Sequence, residues 1–117
     1  MKEVNEKQKE LLKKLKQIRD QYVDFSVGSL EVDSKLNWST YREEYIRLGS
    51  LLHSNKDKQS FREIQVELID EVIYRILEML DGYGGLTFEI EMMDKDTRQS
   101  ITEGIQLHDK YMENTDT

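Results

Sequence analysis

Residues 60–81 read SFREIQVELIDEVIYRILEMLD, and they contain the strongest helical pattern in the chain. At about 100° per residue, the apolar side chains cover more than half of the helix circumference. Such a wide apolar face is typical of a central helix that packs on more than one side. Ser60 followed by Glu63 predicts a capping box at the start, and Gly82 predicts a left-handed cap after the end. A central helix is therefore predicted over residues 60–81.

Two helices are predicted before the central one. The first has a seam of one polar and six apolar residues with heptad-like spacing, and Leu12 and Val23 widen it. The seam consists of Val4, Gln8, Leu11, Leu15, Ile18, Tyr22 and Phe25. Because three heptads are too few to require a coiled coil, a bundle helix over about residues 3–25 is the favoured interpretation. Thr40 and Glu43 form a second capping box, which predicts a helix over residues 40–53.

The periodicity changes after the central helix. Apolar residues alternate with mostly polar ones over residues 86–93, which indicates a short extended or β segment. Because a single strand is not stable alone, its partner is either Leu30–Val32, the same segment of a second copy, or absent. Apolar spacing then predicts a last helix over residues 97–113, and residues 114–117 are expected to fray.

The composition excludes several classes of protein. The chain has 117 residues, a net charge of -7 and no cysteine. Disulfides, thiolate metal sites and cysteine nucleophiles are therefore excluded. The length predicts one helical domain over residues 1–117. The first ten residues lack the apolar stretch of a secretory signal peptide, and no apolar run is long enough to span a membrane, so a cytoplasmic location is expected.

The residues that could carry chemistry do not match a catalytic or metal-binding pattern. Neither His53 nor His108 follows a glutamate at the spacing used by di-iron bundles, and residues 94–105 lack the glycine and glutamate of a calcium loop. His108 and Asp109 are candidates for a general base pair, but a packed or capping histidine is the favoured interpretation. We therefore expect no enzyme activity, no metal and no cofactor.

Charge is distributed unevenly along the chain. Residues 1–20 carry a net charge of +3, whereas residues 61–117 carry 5 basic and 14 acidic side chains. A DNA-recognition helix needs cations, but the central helix presents carboxylates instead. The sequence therefore predicts no nucleic-acid binding and no membrane binding, and its acidic half is suited to basic proteins.

The polar arc of the central helix is the predicted partner-binding surface. It places six carboxylates around one tyrosine: Glu63, Glu67, Asp70, Glu71, Tyr74, Glu78 and Asp81. The tyrosine would be the anchor of the contact, and the carboxylates would steer a basic partner towards it. A solvated acidic face with a chance tyrosine is the simpler alternative. Trp38 and Tyr83 are further candidates for exposed aromatic residues.

The C-terminal half contains four short motifs: Leu80-Asp81-Gly82, Gly85-Leu86, Met93-Asp94 and Leu107-His108-Asp109-Lys110-Tyr111. With these motifs it resembles a group of small uncharacterised bacterial proteins. The resemblance covers residues 80–111 and implies a bacterial cytoplasmic origin. It brings no activity, cofactor or catalytic residue with it.

Together these patterns predict a mainly α, four-helix bundle-like domain that functions in protein interaction. In its sharpest form, the acidic face would neutralise a basic protein, as an immunity or antitoxin-like inhibitor of a nuclease toxin does. The alternative is a self-associating structural module, in which a symmetric homodimer would use the first helix and the segment 86–93. A third interpretation is an enzyme that uses His108 and Asp109.

Overall fold

A computed structural model describes residues 3–113, and it confirms the mainly α architecture. The helices are α1 (Glu6–Gly28), α2 (Arg42–Leu51), α3 (Asn55–Leu80) and α4 (Leu107–Glu113). Residues 114–117, which we expected to fray, lie outside the described part of the chain. Within residues 3–113 there is no strand, only one isolated antiparallel bridge between Met93 and Ser100. The predicted β segment over 86–93 is therefore irregular. Its one bridge is made with Ser100, which belongs to neither of the partner segments expected for it.

The chain forms two compact units. The central unit is Ile18–Leu68, and the terminal unit contains the residues up to Gln17 together with those from Ile69 onward. α1 and α3 contribute residues to both units, whereas α2 belongs to the central unit and α4 to the terminal unit.

Neither of the capping boxes predicted from Thr40 and Ser60 forms. α2 begins after Tyr41, whose side chain makes no capping hydrogen bond. α3 begins before Ser60, because Ser54 Oγ accepts the backbone N–H of Asp57 at 3.0 Å. This bond satisfies one of the donors that the first turn of a helix leaves free.

The end of α3 agrees with the prediction made from Gly82. This glycine has φ 96°, in the left-handed region where it avoids the steric cost of a side chain. Its N–H donates to the Met79 carbonyl, and the N–H of Tyr83 donates to the Glu78 carbonyl. The two bonds form a Schellman motif, so α3 stops at the position that the sequence indicated.

α1 begins with a reciprocal pair of hydrogen bonds between Asn5 and Gln8. The Gln8 N–H donates to Asn5 Oδ1 at 2.8 Å, and the Asn5 N–H donates to Gln8 Oε1 at 2.9 Å. The arrangement is that of a capping box. Gln8 is buried, and its Nε2 also donates to the carbonyls of Ile101 and Glu103. The one polar member of the predicted seam therefore attaches the irregular segment before α4 to α1.

The core of the terminal unit is small and brings together three helices. Its buried members are Leu12 of α1, Leu77 of α3, and Leu107 and Tyr111 of α4. The partly buried residues around it are Val4, Leu11, Leu15, Ile73, Leu80, Met92 and Ile105. A fully buried leucine contributes roughly 1.5–3 kcal/mol relative to an exposed one.

The last helix is much shorter than predicted, because residues 97–106 are not helical. Asp94 Oδ1 accepts the backbone N–H of Thr97 at 2.9 Å, which closes a turn in front of this segment. Arg98 and Gly104 have φ values of 64° and 87°, and a right-handed helix does not accommodate either. The apolar spacing in this segment therefore reflects contacts of irregular backbone rather than a helical face.

The central unit has a sparse core. Val23 and Leu30 are its buried apolar residues among those that the structure describes, and none of the residues of α2 is buried. α2 approaches the turn after α1 closely at Gly49, where an added Cβ would lie 2.3 Å from the Leu30 carbonyl oxygen. Glycine is therefore needed at position 49 for this packing.

The buried side of α1 is displaced from the apolar seam that the sequence predicted. The buried residues of α1 are Gln8, Leu12, Lys16, Arg19, Val23 and Ser26. Ile18, Tyr22 and Phe25 of the predicted seam are instead 39–48% exposed. Two cationic side chains are thus buried along α1, while three large apolar ones remain in contact with solvent.

Candidate interaction surface

The seven residues of the predicted partner-binding surface do not form one exposed face. Glu63, Glu67 and Glu71 are exposed on α3. The other four are fully or partly buried in contacts within the terminal unit, and we take them in turn.

Asp70 is buried and is bound by a residue of α4. The Tyr111 hydroxyl donates to Asp70 Oδ1 at 2.5 Å, and Asp70 is only 7% exposed. The Lys16 ammonium lies 5.4 Å from the centre of the Tyr111 ring, within the range of a cation–π contact. Asp70 is therefore part of a buried polar group and is not available to a partner.

Asp81 is also buried, because its carboxylate faces the start of α4. Oδ2 accepts the backbone N–H of His108 at 3.0 Å, and Nδ1 of the His108 ring lies 2.5 Å from the same oxygen. The side chain of Asp81 is 2% exposed, and its Oδ1 has no hydrogen-bond partner among the described residues. The expectation that Asp81 ends an exposed acidic arc is therefore wrong.

Tyr74 and Glu78 are partly buried beside these groups. The Tyr74 ring meets the His108 ring edge-on, with centroids 5.3 Å apart. Glu78 Oε1 accepts a hydrogen bond from Arg75 Nη1 at 3.0 Å. Tyr74 is thus held against an internal histidine, which makes it a poor anchor for an external partner.

A row of exposed apolar residues on α3 was missed in the sequence pattern. Ile64, Leu68, Val72 and Ile76 follow one another at intervals of four residues and are 46–62% exposed. Residues spaced by four form a continuous ridge on a helix surface. Glu63, Glu67 and Glu71 form an exposed acidic row beside this ridge. Each glutamate lies one residue before an apolar residue of the ridge. The sequence assigned this ridge to the packed side of a central helix, and only its exposure identifies it as a surface.

His108 is a packed histidine, as expected. Its Nδ1 faces Asp81, and its Nε2 lies 3.5 Å from Asp109 Oδ1. The ring is enclosed further by Tyr83, whose centroid lies 5.7 Å away. Tyr83 itself is exposed, as its sequence context suggested, whereas Trp38 is half-buried.

A basic groove of about 750 Å³ lies along α1. Lys7, Lys13 and Lys14 line it together with Glu10 and Asp94. The Lys7 ammonium donates to Asp94 Oδ2 at 2.7 Å, so part of its charge is already neutralised. The hydrogen bond from Lys7, aided by backbone N–H groups of the turn, holds the pKa of the Asp94 carboxyl well below its ordinary value of 3.8. Exposed lysines beside two carboxylates do not form an anion site.

Within residues 3–113, no group of three or more histidine or carboxylate side chains is placed to hold a metal ion. None of the described helices has the length and apolar character needed to cross a membrane. Comparison with protein-family models, with curated proteins and with solved structures returned no match to this chain.

Proposed function

We propose that this chain is a non-enzymatic protein-interaction module, and that the exposed side of α3 binds a basic protein. The observation that carries the proposal is the apolar ridge of Ile64, Leu68, Val72 and Ile76 beside the acidic row of Glu63, Glu67 and Glu71. Apolar side chains provide the affinity of a contact, and neighbouring charges of one sign select a partner of the other sign.

The chemistry of the surface specifies the partner further. A second copy of the same surface would bring two acidic rows together, which disfavours self-association here. A partner with a helical ridge of its own, flanked by lysine or arginine, matches both the apolar and the acidic row. An inhibitor that neutralises a basic enzyme is the sharpest form of this role.

The experiment is a capture from native lysate with three forms of the tagged chain, each checked for helical content by circular dichroism. Wild type is compared with Glu67→Lys/Leu68→Ser on the proposed surface and with the matched control Glu44→Lys on exposed α2. We expect wild type and the control to retain a basic protein at low salt and to release it at high salt. The double variant should not retain it. The same captured proteins from all three forms would contradict the proposal.

A further inference from the structure

A second surface, in the central unit, has a different character from the exposed side of α3. Ile18, Tyr22 and Phe25 lie along α1 at heptad spacing and are exposed. The Trp38 ring stacks on the Phe25 ring, with centroids 6.1 Å apart, and meets the Tyr22 ring edge-on. We call these four residues the α1 patch.

Hydrogen bonds beneath the α1 patch connect Trp38 to the end of α1. Trp38 Nε1 donates to Ser29 Oγ at 2.8 Å, and Ser29 Oγ in turn donates to the Phe25 carbonyl at 2.7 Å. Rigid aromatic side chains lose little entropy when a partner covers them, and they dominate the energy of many interfaces. The patch is thus pre-arranged for contact.

The central unit buries few apolar side chains of its own. Its core among the described residues consists of Val23 and Leu30, and a segment of roughly 50 residues is marginally stable even with a full core. Contact with a second copy would bury additional apolar surface of this unit.

The charges around the α1 patch favour a like partner. The nearest exposed acids already form ion pairs, since Arg19 contacts Asp20 at 2.9 Å and Arg62 contacts Asp24 at 2.9 Å. Gln17 and Gln21, on the exposed flank of the patch, are uncharged. A second copy therefore meets no row of like charges here, in contrast to the acidic row on α3.

We propose that the α1 patch packs against the α1 patch of a second copy, in an antiparallel and two-fold symmetric pair. Heptad spacing on one helix is complemented by the same spacing on another. The antiparallel arrangement places Ile18 opposite Phe25 of the second copy and Gln21 near the two-fold axis. A parallel arrangement would bring the Lys14 side chains of the two copies together, which like-charge repulsion disfavours.

The size of the patch determines the strength of this dimer. Four partly exposed large side chains offer roughly 300–400 Å², about half of what each partner buries in a standard interface. A dimer with so small an interface is weak, so we expect it to form as the protein is concentrated.

The first test is sedimentation equilibrium from micromolar to millimolar concentration. The average mass of the wild type should rise from 13.9 kDa towards twice that value. Tyr22→Lys should remain at the monomer mass, whereas Ile64→Lys on α3 should dimerise as the wild type does. A wild type that stays monomeric throughout, or a Tyr22→Lys variant that dimerises normally, would overturn the proposal.

The second test reports on geometry and does not alter the apolar patch. Because the chain has no cysteine, single cysteines can be introduced cleanly. Oxidised Gln21→Cys should give a disulfide-linked dimer as its main product, and Lys14→Cys should remain monomeric under the same conditions. The reverse pattern would overturn the antiparallel pairing.

Discussion

The Asp81 carboxylate connects the end of α3 to the start of α4. An anion is unfavourable near the C-terminus of a helix and favourable near an N-terminus, because of the partial charges on the free backbone groups. Asp81 follows the last residue of α3, yet its side chain accepts the N–H of His108 in the first turn of α4. Burial of this side chain, which the predicted acidic surface did not anticipate, is therefore explained by the helix that it caps.

Removal of the Asp81 carboxylate should destabilise the terminal unit. Asp81→Ala leaves the buried His108 ring and the His108 N–H without their acceptor, at a cost of about 1–3 kcal/mol. The control is Asp109→Ala, because Asp109 is exposed and its carboxylate lies 3.5 Å from the other ring nitrogen. In urea denaturation, the control should change the free energy of unfolding by no more than about 0.5 kcal/mol. Equal effects of the two substitutions would show that the buried pair contributes no special stability.

Two glycines provide a matched test of close packing in the central unit. An added Cβ at Gly49 would overlap the Leu30 carbonyl oxygen, whereas an added Cβ at Gly28 has nothing within 4 Å. Gly49→Ala should therefore lower the thermal midpoint, since backbone must move to relieve the overlap. Gly28→Ala should leave the thermal midpoint unchanged or raise it, with a gain of up to about 0.4–1 kcal/mol in the free energy of unfolding. A stable Gly49→Ala variant would mean that α2 does not approach Leu30 this closely.

At the scale of the helices, a sequence signal predicts a helix end where the backbone requirement is itself local. The end of α3 follows from Gly82 alone, since the backbone requirement is local. The start of α3 was misplaced because Ser54 and Ser60 are both acceptable caps, and the intervening polar residues carry no apolar periodicity. The positive φ of Arg98, which helps to exclude a helix over residues 97–106, has no signature in the sequence.

The burial of Asp70 and Asp81 could not be read from the helical wheel of α3. Both carboxylates are covered by residues of α4, Tyr111 and His108, which follow them by 41 and 27 positions. Such pairings depend on tertiary structure, so the polar arc looked uniform in sequence. The displaced seam of α1 has a similar origin at Lys16, because the ammonium of this buried residue lies against the Tyr111 ring of α4.

The start of α3 can be tested with two serine substitutions. Ser54→Ala removes the acceptor of the Asp57 N–H and should cost about 1 kcal/mol of stability. Ser60→Ala replaces an exposed residue inside the helix with the best helix former, so it should be neutral or slightly stabilising. Denaturant midpoints measure both effects. A larger loss of stability for Ser60→Ala than for Ser54→Ala would show that Ser60 is the N-cap of α3, as the sequence predicted.

The stability contributed by the hydrogen bond between Lys7 of α1 and Asp94 should depend on pH. The pKa of Asp94 is lower in the folded chain than its ordinary value of 3.8, chiefly because of the Lys7 hydrogen bond. Its contribution is therefore fully present above pH 3.8 and is lost as the pH falls towards the folded pKa. Asp94→Asn should be less stable than wild type near neutral pH, and the difference should shrink on acidification below pH 3.8. A difference that stays constant with pH would assign the effect to packing rather than to charge.

At the scale of the whole molecule, the distribution of apolar side chains separates two kinds of surface. The exposed side of α3 combines apolar and acidic rows, whereas the α1 patch is apolar and has no acidic row beside it. The acidic row disfavours contact of the first surface with a like molecule, and the second surface carries no such row. The two proposed contacts therefore use different helices of the chain.

The uneven burial predicts an uneven resistance to local opening. None of the residues of α2 is buried, whereas the second half of α3 contains Leu77 in the core of the terminal unit. Opening free energy falls where few apolar contacts are lost, so the amides of α2 should exchange with solvent much faster than those of residues 73–80. Native-state hydrogen exchange measured peptide by peptide checks this, with residues 9–16 of α1 as a second slow control. If the amides of α2 were protected as strongly as those of residues 73–80, α2 would open only together with the core. Backbone contacts of α2, such as the one at Gly49, would then stabilise it as effectively as buried side chains do.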